Sequence, residues 1–312
     1  MAKKITMRIE TKKTFAEGAE EFLLDCMARN LREGTIKHYK DSLRQIYKII
    51  APETPIDEID EDTWDYYKIS LREKAVLNDT SIYTYGRDFK TILRYFMKEG
   101  WLPRFELQLP KADKAPTETY TDEELMKLLK KPNLKKCSFT EYKSWVIVNF
   151  LLSTGVRQNS LINIRICDID FETSTVHVNV TKSRKPILIP MNRDIEKILQ
   201  EYLKYRSADD AEDYLFCNEY GHKLVKSTLY HAMYQYNKNR GVERTGLHRF
   251  RHTFAKQWVL MGGNVVSLQK ILGHSSLDIT QNYLNLLVSD VAKDVEEFNI
   301  LRQFKSEAIK MK

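Results

Sequence analysis

The segment TGLHRFRHTFAKQW, Thr245–Trp258, concentrates groups that handle phosphate. In a helix, His248 and Arg251 stand at i and i+3 and share a face, while Phe250, Phe254 and Trp258 at i, i+4 and i+8 form an apolar stripe to bury. A guanidinium is a planar, permanently charged fork that suits two nonbridging oxygens of a phosphate. An imidazole beside it can donate or move a proton near neutral pH. Taken alone, the pair also describes an ordinary amphipathic helix with a polar surface. His252 is read as a structural second histidine on a different face.

Three other segments carry compatible groups. STGVRQNSL ends an apolar helix at Gly155 and offers Arg157 at the next turn. LGHSS puts His274 just after Gly273, in a loop that leads into LDITQNYLNL, where Tyr283 sits on the following helix. TKSRK supplies Lys182, Arg184 and Lys185 at a turn between two strand-like runs. Tyrosine is amphipathic and common at half-buried helix positions, so it is the place of Tyr283 after LGHSSLDITQN that singles it out among 17 tyrosines.

These groups need a scaffold, and the apolar spacing supplies one. The first hundred residues read as four helices. The first buries Phe15, Ala19, Phe22, Leu23 and Cys26; the second, with Thr35 as N-cap, carries Ile36, Tyr39, Leu43, Ile46, Tyr47 and Ile50 until APETP stops it. The third runs from about Thr63 through Trp64, Tyr67 and Leu71. The fourth carries Ile82, Tyr85, Phe89, Ile92, Leu93 and Phe96 and stops at Gly100. A proline-rich stretch follows, and Thr121 with Glu124 forms a capping box that opens a new helix. Beyond a helix around Trp145 to Ser153, ICDIDFETSTVHVNVTKSRKPILIP alternates as a three-stranded antiparallel unit. Helices return after Asn192 and over about 226–239, 247–261, 264–272 and 278–287. The expected fold class is mainly α with a small antiparallel sheet, divided as an N-terminal helical domain over 14–102, a linker over 103–120 and a second domain over 121–312.

Bulk composition is consistent with this. A chain of 312 residues has material for two domains, and 50 Lys+Arg against 43 Asp+Glu gives a net charge of +7, the sign that phosphate backbones attract. The four cysteines are scattered without a C-x-x-C pair, which suggests neither a disulfide framework nor a zinc site. With a polar N-terminus and no long apolar run, the expected location is cytoplasmic.

Together the motifs resemble the tyrosine recombinase, or phage integrase, family, including its Xer-type resolvases. The T-G-hydrophobic-R turn is matched by Arg157, H-x-x-R followed by HTF by His248 and Arg251, L-G-H by His274, and the tyrosine nine positions later by Tyr283. The hairpin lysine falls on Lys182, with Lys185 as its rival. The resemblance covers essentially the whole chain. It implies a SAM-like four-helix core-binding domain and an α+β catalytic domain that together form a C-shaped DNA clamp. Two departures stand out: Ser160 occupies a position commonly acidic in the family, and Thr181-Lys182-Ser183 replaces the usual Gly-Lys-Gly.

The resemblance also implies site-specific DNA recombination, as integration, excision or resolution in a mobile element or Xer-type setting. Tyr283 would attack a phosphodiester to give a 3′-phosphotyrosine, with Arg157 and Arg251 clamping the phosphate and His274 hydrogen-bonding it. Lys182 would act as general acid and His248 as acceptor of the tyrosine proton, without metal or ATP. The expected partners are double-stranded DNA with paired core sites, three further protomers in a tetramer on DNA, and an accessory DNA-bending or excisionase protein; the host setting is prokaryotic, with the protein on the nucleoid when bound. Val291, Val295, Phe298, Leu301 and Phe304 give a tail helix for linking protomers or for self-docking. Lys37, Lys40, Arg44, Arg87, Lys90 and Arg94 on helices two and four, with Arg184 and Lys185 on the hairpin, are the candidate DNA contacts. The competing readings are a type IB topoisomerase and a non-catalytic DNA-binding protein of the same fold.

Overall fold

The computed structural model describes residues 12–74, 77–111 and 118–274. Two compact units divide the chain near Pro116.

Among its described residues the first unit contains four α-helices, α1 (Phe15–Ala28), α2 (Glu33–Ile46), α3 (Glu61–Lys74) and α4 (Asp79–Lys98). Thr14 and Glu17 form a reciprocal capping box at α1, and the Asn78 side chain accepts from Ser81 N–H at α4. Thr35 is not the cap of α2. The Arg32 carbonyl already accepts from the N–H groups of Thr35 and Ile36, at 2.8 and 3.0 Å, so Thr35 lies inside the first turn. Glu33 there sets its carboxylate near the positive end of the helix. Ile50 is buried but lies past the end of α2, in a run of turns after Tyr47. Phe15, Trp64, Tyr67, Phe89 and Phe96 fill the core. The expected linker begins as part of this unit: Leu107 is buried against its core, and Trp64 Nε1 donates to the Gln108 carbonyl at 3.3 Å.

The second unit is built around α6 (Phe139–Thr154), where Val146, Ile147, Val148, Phe150 and Leu151 are all fully buried. A helix apolar all round is a central one. Before it comes α5 (Asp122–Leu129), with the expected Thr121/Glu124 capping box, and after it the single turn α7 (Gln158–Leu161). The sheet has the order β1-β2-β3 and is antiparallel throughout: β1 (Ile169–Asp170), β2 (Thr175–Val178) and β3 (Ile187–Pro190). Val176 pairs with Ile169 and Ile189, and Val178 with Ile187; Val176, Val178 and Ile189 point inward. Four helices follow, α8 (Arg193–Tyr205), capped by Asn192, α9 (Lys226–Asn239), α10 (Leu247–Leu260) and α11 (Val265–Leu272). Phe254, Ala255 and Val259 of α10 pack on Leu268 and Leu272 of α11. All four cysteines are free thiols. Among the described residues no helix is long and apolar enough to cross a membrane.

Candidate active site

α6 ends at Gly155 in the left-handed conformation, φ +61°, which reverses the chain and places Arg157 in extended backbone at the start of α7. The turn is also tight. A Cβ on Gly155 would lie 2.5 Å from Phe254 Cδ1 and 2.7 Å from Leu272 Cδ2, so only glycine lets α10 and α11 close on this corner. α11 ends in the same way at Gly273, φ +59°, where a Cβ would meet Ile187 Cδ1 of β3 at 2.3 Å. Two left-handed glycines therefore bring the ends of α6 and α11 together, with β3 alongside.

The cations meet at this corner. Arg251 is almost fully buried in α10, with one terminal nitrogen donating to the Gly155 carbonyl at 2.7 Å. The other donates to the Leu272 carbonyl at 2.8 Å and lies 2.8 Å from Nε2 of His274. Arg157 donates to the same Leu272 carbonyl at 3.1 Å. Two guanidiniums thus share one backbone oxygen, which partly offsets their mutual repulsion and fixes them side by side. A guanidinium cannot accept a hydrogen bond, so Nε2 of His274 is the acceptor and the ring proton sits on Nδ1. Burial, followed by the charges of Arg251 and Arg157, holds the pKa of His274 at about 4. It is neutral at pH 7.

His248 stands on α10 one turn before Arg251, with its pKa lowered first by lost hydration and then by Arg251 and Arg157. At neutral pH it is an unprotonated base beside two cations. His252 is closer to this cluster than its sequence assignment to another face allows. It lies at i+4 from His248, a neighbouring position, and burial, then His248, Arg251 and Arg249, push its pKa to about 4. It in turn lowers that of His274. The i, i+4 spacing was the available signal.

The loop between β2 and β3 carries Lys182, Arg184 and Lys185, all exposed. Its base is anchored: Thr181 is buried and its hydroxyl donates to the Lys185 carbonyl at 2.7 Å, while Ser160 of α7 donates to the Val180 carbonyl at 2.7 Å. Tyr283, the helix predicted over 278–287 and the tail apolar residues lie outside the described residues. In the first unit Lys37, Lys40, Arg44, Arg87 and Arg94 are exposed, with Arg44 paired to Asp41 at 2.9 Å and Arg87 to Asp88 at 3.3 Å. Lys90 differs: the residue is half-buried and its ammonium donates to the Leu107 carbonyl, so its charge is partly committed within the unit. Among the described residues no three His, Cys, Asp or Glu side chains converge as a metal site.

The sequence matches the model of the phage integrase family over residues 118–289, and that of the phage integrase SAM-like domain over residues 14–113. The chain belongs to the phage integrase family. It is a tyrosine site-specific recombinase, an enzyme of DNA breakage and rejoining. The tyrosine recombinase XerC of Leptospira interrogans is 26% identical over 265 residues, which span 83% of this chain and 85% of that protein. The Tn1549 transposon integrase, solved in complex with a circular-intermediate DNA, has a TM-score of 0.71 at 22% identity over 86% of this chain and 94% of its own. A lambda integrase tetramer bound to a Holliday junction has a TM-score of 0.71 at 15% identity over 88% of this chain and 78% of its own. At these identities the two structures establish the fold of the recombinase, a SAM-like helical domain followed by a mixed α and β catalytic domain.

Proposed function

We propose that the recombinase breaks and rejoins DNA at paired core sites through Tyr283, with Arg157, Arg251, His274, His248 and Lys182 as its catalytic set. The observation that carries this reading is the convergence of Arg157, Arg251 and His274 beside the Leu272 carbonyl, which preassembles two cations and an imidazole at one corner.

The chemistry makes two demands. A phenol with a pKa of about 10 is a weak nucleophile at pH 7, and the pentavalent transition state gathers charge on its nonbridging oxygens. Arg157 and Arg251 meet the second demand as fixed donors in a partly dry corner, where one such donor is worth roughly 10²–10³ in rate by analogy with oxyanion holes. His274 hydrogen-bonds the same phosphate. His248, unprotonated beside the cations, accepts the proton of Tyr283 as the phenol attacks and returns it in the reverse step. Lys182 protonates the departing 5′ oxygen. The phosphotyrosyl bond conserves the energy of the broken phosphodiester, so the 5′-hydroxyl of a second strand reseals the DNA without ATP or a metal.

On this reading the exposed basic side chains of α2 and α4, and Arg184 and Lys185 on the hairpin, contact phosphates. Four protomers assemble on two core sites, the tail around Val291–Phe304 links them, and an accessory DNA-bending or excisionase protein sets direction. The solved tetramer of lambda integrase on a Holliday junction supports that assembly.

The test is covalent trapping. A nicked suicide duplex built from the DNA flanking the gene is incubated with wild type and with Tyr283→Phe, and the products are run on a denaturing gel. An adduct with wild type alone, while both bind the duplex, supports the reading. Adduct formation by Tyr283→Phe, or binding by both proteins with no adduct from either, overturns it.

A further inference from the structure

Ser160 stands three residues after Arg157, where the related family commonly has an acid. It is almost completely buried, and its hydroxyl donates to the carbonyl of Val180 at 2.7 Å. Val180 lies two residues before Lys182. Other ties hold the loop from Asn179 to Lys185, among them the Asn179 amide, which donates to Asp168 Oδ1 at 2.7 Å, and the Thr181 hydroxyl, which donates to the Lys185 carbonyl at 2.7 Å. The first fastens the loop to the turn before the sheet and the second closes the loop on itself. Ser160 ties it to the turn that presents Arg157.

The donor type matters. A carbonyl oxygen needs a hydrogen, which a hydroxyl supplies and an ionised carboxylate does not. An acid at this position would set like partial charges against each other in a buried place and push the loop away. The serine therefore fits this chain's own hairpin, in which Thr181-Lys182-Ser183 replaces a glycine-flanked lysine.

We propose that Ser160 is a positioning residue: through the Val180 carbonyl it couples the Arg157 turn to the Lys182 loop, so that phosphate clamp and general acid arrive in register. The inference rests on the assignment of Lys182 as the acid, and the experiment separates the two. In the ordinary substrate the Tyr283 oxygen bonds to phosphorus, the bond from phosphorus to the 5′ oxygen breaks, and Lys182 gives that oxygen a proton. In a duplex with sulfur in place of the bridging 5′ oxygen the same bond forms, the bond from phosphorus to sulfur breaks, and sulfur leaves as a thiolate. A thiol has a pKa of about 8.5, far below that of an alcohol, so this leaving group needs no acid.

Single-turnover cleavage of the two duplexes is compared for wild type, Ser160→Ala, Ser160→Thr, Ser160→Asp, Lys182→Ala and Lys185→Ala. General acid catalysis contributes roughly 10²–10⁴, so Lys182→Ala slows the oxygen substrate within that range and cleaves the sulfur substrate within about threefold of wild type. Ser160→Ala follows the same pattern with a smaller loss, about 10–100-fold on oxygen, Ser160→Asp resembles it, and Ser160→Thr, which keeps the hydroxyl, restores the rate. Because the sulfur rate reports the intact arginine clamp, it controls for misfolding in each variant. If Lys182→Ala is rescued by sulfur while Ser160→Ala is equally slow on both substrates, or unaffected on both, the coupling role is overturned and the acid assignment stands. If Lys182→Ala is not rescued, the acid assignment fails and the inference with it; rescue of Lys185→Ala instead would move the acid to that residue.

Discussion

A methyl group at Gly155 would sit 2.5 Å from Phe254 Cδ1 and 2.7 Å from Leu272 Cδ2, well inside the roughly 3.5–4.0 Å at which two carbons are in favourable contact. Gly155→Ala therefore carries two penalties. The left-handed backbone, φ +61°, costs an L side chain about 1–2 kcal/mol, and overpacking of a filled corner adds about 1–3 kcal/mol. Their sum is a loss of about 2–5 kcal/mol of stability in the second unit. The strain has a functional direction. Phe254 belongs to the same helix as Arg251, whose guanidinium donates to the Gly155 carbonyl at 2.7 Å, so a retreat of α10 that relieves the clash withdraws the cation from its mooring. A displacement of about 1 Å at a catalytic group costs on the order of 10²-fold in rate. The assays are urea unfolding and single-turnover cleavage of a suicide duplex at saturating protein. Gly100→Ala is the control, because Gly100 also has positive φ, +77°, but nothing lies within 4 Å of its added Cβ. It is expected to lose about 1 kcal/mol and cleave normally. The packing argument is refuted if Gly155→Ala loses no more stability than Gly100→Ala and cleaves within threefold of wild type.

Other consequences follow from the same contacts. Arg251→Lys keeps the charge but replaces a fork serving Gly155, Leu272 and His274 with a single nitrogen; cleavage falls by about 10²-fold or more, and urea unfolding shows a loss of about 2–4 kcal/mol because one ammonium cannot replace these buried charge-assisted hydrogen bonds together. The pKa values of His252 and His274 are both held down at about 4, so the unfolded chain takes up their protons first as pH falls below about 6.5. Their contribution to stability is whole above that pH and is lost progressively down to about 4. Urea midpoints measured between pH 7 and 4.5 should decline, and the decline should be shallower in the His252→Asn, His274→Asn double variant; equal slopes would count against the burial of these rings. In the first unit Asp88 is 2% exposed, accepts from the Ser42 hydroxyl at 2.6 Å and pairs with His38 at 2.7 Å, joining α4 to α2. Asp88→Ala leaves the buried Ser42 hydroxyl without this acceptor, removes the carboxylate facing His38, and is expected to cost that unit about 1–3 kcal/mol by urea unfolding, with a weaker gel shift on DNA.

Local chemistry was legible in the sequence because its energy terms act over a few residues. Thr121 with Glu124 and Asn192 cap the helices they announce, and Gly100, Gly155 and Gly273 take left-handed backbone where α4, α6 and α11 stop. The alternation through Val176, Val178 and Ile189 yields a three-stranded antiparallel sheet with those three side chains inward. The start of α2 was misplaced at Thr35 because Arg32 contributes only a backbone carbonyl, which any residue could supply.

The same reason explains what the tertiary structure alone decided. The motif types name Arg157, Arg251 and His274, but the atom that gathers them is the carbonyl of Leu272, 115 residues from Arg157, and a carbonyl leaves no mark in residue type. Nor does residue type reveal that Ser160 reaches Val180, or that Lys90 turns to Leu107 rather than outward with Lys37 and Lys40. Sequence spacing fixes which side chains share a helix face, whereas the close approach of α10 and α11 to the end of α6 at Gly155, and of β3 to the end of α11 at Gly273, determines which backbone oxygens those side chains meet.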